Sequence, residues 1–113
     1  HFFQKYIPRD ATILEIGAGY CEFINAIQAK RKIAVDINPD TRTYADDSVE
    51  VIITQSTRLD FMDSESVDRV FVNNFFEHIT KPDIVETLQE LHRILKIGGG
   101  DLDFAAEYQV LCQ

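Results

Sequence analysis

Ile13-Leu14-Glu15-Ile16-Gly17-Ala18-Gly19-Tyr20-Cys21 is a short apolar run that breaks into glycine. Nineteen residues after Gly17, a second apolar run, Lys32-Ile33-Ala34-Val35-Asp36, closes on an acid. Glycines between a strand and a helix permit a tight turn and let a ligand approach the backbone. An acid closing the next strand is placed to accept hydrogen bonds from both hydroxyls of a ribose. The pair therefore reads as a nucleotide-type site at the head of an α/β domain.

The segments around this unit carry the same alternation. Phe2, Phe3, Tyr6 and Ile7 suggest a short amphipathic helix that Pro8 stops, and Thr12–Ile16 reads as the first buried strand. Apolar residues at 20, 23, 24 and 27 predict a helix face over Tyr20–Lys30. Strands are expected at Lys32–Asp36, Val49–Thr54 and Arg69–Asn73, with Asn38–Ser48 as a loop. The strongest helix runs from Thr80 to Lys96. Thr80 and Asp83 have capping-box spacing, Pro82 sits in the first turn, and Ile84, Val85, Leu88, Leu91 and Leu95 form one apolar face. The tail is ambiguous. Asp101–Tyr108 alternates as a half-exposed fifth strand near Leu102 would, while Phe104, Tyr108, Leu111 and Cys112 also fit a helix face. Strands alternating with helices or loops, apolar without an in–out pattern, imply a parallel sheet covered on both faces.

Composition narrows the partners. The 113 residues suit a single domain, 1–113, and 45% hydrophobic content excludes a disordered acidic tail. No apolar run approaches the roughly 20 residues of a membrane span, so no membrane partner is expected. His1–Lys5 lacks the pattern of a secretory signal. A net charge of −8 repels phosphate backbones, and the one basic cluster, Lys30-Arg31-Lys32, falls at a predicted helix end, so nucleic acid is not an expected partner. Cys21 and Cys112 show no metal-ligand or disulfide spacing, which points to a reduced, cytoplasmic setting. Asp101-Leu102-Asp103 imitates a metal motif, but an exposed strand face explains it, and no metal is expected.

The turn also separates two cofactors. A dinucleotide fingerprint begun at Gly17 needs glycine at 22, where Glu22 would oppose a pyrophosphate. Acids such as Glu15 suit a ligand carrying a sulfonium and an ammonium group, which favours S-adenosylmethionine over NAD.

The chain resembles a class I S-adenosylmethionine-dependent methyltransferase of the small-molecule type. Leu14-Glu15-Ile16-Gly17-Ala18-Gly19 is similar to that family's first motif, and Val35-Asp36-Ile37-Asn38-Pro39 to its second. Leu59-Asp60-Phe61 with Ser66-Val67-Asp68-Arg69-Val70, then Phe75-Phe76-Glu77-His78-Ile79, then Leu91–Gly99, resemble the later segments in order and at family spacing. The resemblance implies a Rossmann-like doubly wound, mainly parallel sheet of order 3-2-1-4-5. It implies that Glu15, Gly17, Ala18 and Gly19 hold the methionine part, Asp36 the ribose and Ile37 the adenine. Gln55, followed by Ser56, stands where relatives place an acid near the adenine amino group, and Asn73 should line the methyl-donor site. Cys21 occupies the third glycine position. Relatives add two antiparallel strands beyond the fifth, so the chain is expected to be a fragment of a longer protein.

The implied reaction is methyl transfer to a small-molecule acceptor. His78 is a candidate general base, with a structural histidine as its plainer reading. A non-catalytic, degenerate relative that serves as a binding or partner domain is the alternative. An open edge along the fifth strand would favour a homodimer.

Overall fold

The computed structural model describes residues 2–72, 75–96 and 110–112. A 3-10 helix, Phe2–Tyr6, leads into β1 (Thr12–Ile16), α1 (Glu22–Ala26), β2 (Arg31–Asp36), α2 (Thr41–Tyr44), β3 (Val49–Ile53), β4 (Arg69–Val72), α3 (Lys81–Ile94) and β5 (Val110–Cys112). The strands form one sheet of order β3-β2-β1-β4-β5, and every neighbouring pair is parallel. The fold is the Rossmann-like one expected from the sequence. Asn73 and the segment 101–109, where the fifth strand was expected, lie outside the described residues. The fifth position in the sheet is held by Val110–Cys112, in register with Val70–Val72.

The apolar strands without in–out patterning are explained by two cores, one on each face of the sheet. Successive residues of a strand point to opposite faces. Leu14, Ile16, Ile33, Val35, Val70 and Val72 meet Leu59, Met62, Val67, Leu91, Ile94 and Leu95 on the α3 side. Ile13, Ala34 and Phe71 meet Ile7, Ala18, Cys21, Phe23, Ile24 and Ile27 on the α1 side. There the Phe23 and Phe71 rings stack at 3.7 Å, and Phe3 meets Phe71 edge-on at 5.1 Å.

Several local expectations are corrected. The helix expected over Tyr20–Lys30 is only Glu22–Ala26, and Tyr20 lies on the surface instead of on its apolar face. Gln4 is the cause: its side chain donates to Gln28 O (2.9 Å) and accepts from Gln28 N (2.7 Å), taking the backbone groups that a longer helix would have used. The expected loop Asn38–Ser48 contains the single turn α2, too short to leave a periodic signature. Helix α3 starts as expected, with Thr80 Oγ1 accepting from Asp83 N. Its buried face, however, is Thr87, Leu91 and Ile94, while Val85 and Leu88 are exposed. Thr87 turns inward because its hydroxyl pairs with Ser56 Oγ at 2.6 Å.

The loop before β4 is held from two sides. Arg93 donates to Leu59 O, Met62 O and Ser64 Oγ and pairs with Glu90. Asp68 accepts from Thr12 N at 2.8 Å and meets Lys96 at 3.3 Å.

Candidate functional site

The β1–α1 turn has the conformation its glycines allow. Gly17 (φ 73°) and Gly19 (φ 52°) both lie in the left-handed region. The N–H groups of Gly17 and Ala18 donate to Val35 O, which fixes the turn against the end of β2. A Cβ on Gly19 would meet no atom within 4 Å, so the turn is open in front of this residue. Ala18 is buried in the α1-side core and offers only its backbone to a ligand. Cys21 also holds a positive φ of 62°, a conformation that costs a non-glycine residue roughly 1–2 kcal/mol. The side chain is buried, and burial, then the charges of Glu15, Asp36 and Asp46, push the thiol up to about 11. It stays protonated and inert near neutrality.

Asp36 ties the two loops together. One carboxylate oxygen accepts from Gly19 N at 2.8 Å and the other from Asn38 N at 2.9 Å. Each oxygen keeps a further lone pair for a ligand. Beneath the turn, Glu15 is fully buried on the α1 side, and neither carboxylate oxygen has a hydrogen-bond partner among the described residues. Burial raises its pKa to about 8. The Ile24 backbone offsets this in part, without forming a geometrically sound hydrogen bond, and Asp36 adds to the rise.

Two cavities flank the Asp36–Ile37 step at the carboxyl ends of the strands. One, of ≈ 230 Å³, is lined by Gly19, Asp36 and Asp40, with Tyr20 and Tyr44 among its other walls. The second, of ≈ 350 Å³, brings Ile37, Gln55 and Ser56 together with Thr57, Phe75, Ile79 and Asp83. Ile37 is 69% exposed, an apolar platform facing outward. Gln55 is exposed, whereas Ser56 is buried with its hydroxyl engaged by Thr87. Thr87→Val should strand that hydroxyl and cost about 1–3 kcal/mol in urea denaturation, most of it recovered when Ser56→Ala is added. His78 lines neither cavity. It sits on the surface with its Nε2 3.7 Å from Glu77 Oε1.

The sequence reading missed Tyr20, Asp40 and Tyr44 on the first cavity and Phe75, Ile79 and Asp83 on the second. The apolar spacing places Tyr20 on a helix face. Asp40 and Tyr44 lie in the segment read as loop, where only proximity to Asp36 in sequence could have marked them. Glu22 opens the short α1, so an acid occupies the place where a dinucleotide would put its pyrophosphate. Among the described residues, no group of three or more His, Cys, Asp or Glu is arranged to hold a metal ion, and no helix is long and apolar enough to cross a membrane.

The arrangement suits a nucleoside: an acid with free acceptor capacity stands beside an open glycine turn. The family model described as a methyltransferase domain matches residues 14–100. No match is found among curated proteins. Among solved structures, a S-adenosylmethionine-dependent methyltransferase from Archaeoglobus fulgidus superposes with a TM-score of 0.72 at 24% identity, over 85% of this chain and 45% of its own. The complex between the Haloferax volcanii Trm112 methyltransferase activator and a methyltransferase gives a TM-score of 0.68 at 26% identity, over 82% and 44%. Phosphoethanolamine N-methyltransferase 1 of Haemonchus contortus, in complex with phosphoethanolamine and S-adenosylhomocysteine, gives 0.69 at 23%, over 80% and 21%. This chain thus spans less than half the length of each of these proteins.

Proposed function

The chain belongs to the methyltransferase domain family, and from that premise we propose that it binds S-adenosylmethionine and takes part in methyl transfer to a small-molecule acceptor. The observation that carries the reading is the meeting of Gly19 and Asp36. Gly19 N donates to the acid that closes β2, and the space in front of the glycine is open. In this reading the ribose diol donates to Asp36, and the adenine lies on Ile37 with Gln55 accepting from its amino group. Ser56 contributes through its backbone, since its hydroxyl is committed to Thr87. The backbone of Gly17, Ala18 and Gly19 takes the methionine part, with Glu15 beneath it. Asn73 is proposed for the methyl-donor end.

S-adenosylmethionine supplies an electrophilic methyl group on a cationic sulfur when bound. What remains for the protein is to orient the two reactants and exclude water, which can supply most of the rate. His78 is the candidate for taking a proton from the acceptor. The acceptor, and a second copy of the chain paired along the outer edge of β5, belong to the same proposal.

The test is calorimetric titration with S-adenosylmethionine and S-adenosylhomocysteine, repeated on Asp36→Ala. Loss of a charged hydrogen-bond acceptor from a partly buried site should weaken affinity by about 1.5–3 kcal/mol. Unchanged affinity would remove Asp36 from the site. A second reading, a binding domain without turnover, is favoured by the left-handed backbone at Cys21, which glycine would hold without strain. Binding without product across a panel of methyl acceptors is the outcome it expects.

A further inference from the structure

Tyr20 and Tyr44 come from different segments, the β1–α1 turn and the end of α2, yet their rings meet edge-to-face at 4.8 Å. Both are exposed, at 68% and 46%, and both wall the cavity that contains Asp36. Among the described residues, neither hydroxyl has a hydrogen-bond partner. The pair is held by backbone rather than by burial. Asn25 of α1 donates to Tyr44 O at 2.9 Å and accepts from Asp46 N at 2.9 Å, which pins the end of α2 to α1. Two aromatic rings are therefore kept at the surface, beside the acid proposed to hold a ribose, by contacts that contribute little to the core.

We propose that Tyr20 and Tyr44 are positioning residues for the ribose of the bound cofactor, forming a wall that keeps water from the hydrogen bonds between the diol and Asp36. The inference rests on the S-adenosylmethionine reading of the site. A hydrogen bond that competes with water adds little net affinity, and the same bond in a drier, lower-dielectric setting adds more. The rings supply that setting without touching the reacting atoms. Their effect should therefore be expressed through Asp36.

S-adenosylhomocysteine is the probe, and binding is read by calorimetry. Tyr20→Ala and Tyr44→Ala should each weaken it by about five- to tenfold with little change in melting temperature, because both rings are exposed. Tyr44→Phe keeps the ring and should restore affinity. In an Asp36→Ala background, Tyr44→Ala should change affinity by less than about twofold, the signature of two residues acting as a unit. Alanine variants that bind like the parent chain would overturn the proposal. So would a tyrosine effect that persists in full without Asp36, or a Tyr44→Phe variant that binds no better than Tyr44→Ala. If the parent chain itself fails to bind S-adenosylhomocysteine, the cofactor reading falls and this inference falls with it. Binding that survives all tyrosine changes but not Asp36→Ala would sink this inference alone.

Discussion

Gly19→Val is expected to abolish binding of S-adenosylmethionine and S-adenosylhomocysteine, a loss of at least about a hundredfold, while far-UV circular dichroism stays that of the parent chain. Two effects act together. The backbone at Gly19 has φ 52°, and a β-branched residue in the left-handed region is strained by roughly 1–3 kcal/mol. The new Cβ also meets no protein atom within 4 Å, because the space before Gly19 is open. It would project into the cavity shared with Asp36 and fill the place a ligand needs. Gly19→Ala separates the contributions, since it carries nearly the same backbone strain with a single methyl group. If alanine is much milder than valine, occupancy of the cavity dominates; if the two are equal, the conformation does. Normal binding by Gly19→Val would reduce the turn to a purely structural one.

The second large effect concerns pH and stability of the ligand-free chain. Glu15 titrates near 8 when folded, against an ordinary value of 4.5. Below the ordinary value both folded and unfolded chains hold the proton, and Glu15 adds no pH dependence. Between about pH 4.5 and 8 the unfolded chain releases the proton and the folded chain keeps it. The unfolded state is favoured increasingly, so stability falls as pH rises through this window and levels off above it. The full effect is on the order of a few kcal/mol. Glu15→Gln stays neutral throughout and should be nearly free of the slope. Urea denaturation of both proteins at pH 5, 6.5 and 8 should show the glutamine variant gaining steadily on the parent. Parallel profiles would mean that Glu15 ionises freely in the folded state.

Much of the architecture was legible because it depends on local chemistry repeated along the chain. The run ending at Gly17 and the run ending at Asp36 each announce a buried strand followed by a turn, and the hydrogen bond from Gly19 N to Asp36 realises their pairing. Thr80 with Asp83 announces the start of α3, and the structure shows that cap. What escaped reading depends on partners distant in sequence. At the end of α1, Gln4 takes both backbone groups of Gln28 from across the fold, while Lys32 takes the carbonyl of Ile27. Nothing in the periodicity of α3 puts Thr87 inside and Leu88 outside; the hydroxyl of Ser56 does. The cavity walls were missed for a similar reason. Tyr20 and Tyr44 are neighbours only after two loops fold toward each other. The complete burial of Glu15, and hence its raised pKa, is visible only once α1 covers the sheet.

The central position of β1 has a consequence for the order of assembly. One edge of β1 pairs with β2, where Thr12 faces Arg31, and the other with β4, where Ile13 faces Arg69. During synthesis the first pairing becomes available long before the second. Until Arg69–Val72 arrives, β1 presents a bare edge, and edges of this kind recruit other chains. The face formed by Leu14, Ile16, Ile33 and Val35 waits even longer, because its core partners run from Leu59 to Leu95. The α1-side core, by contrast, draws all its members except Phe71 from residues 7–49. The nascent chain therefore acquires one covered face early and carries the other uncovered until α3 docks, the interval in which aggregation competes most with folding.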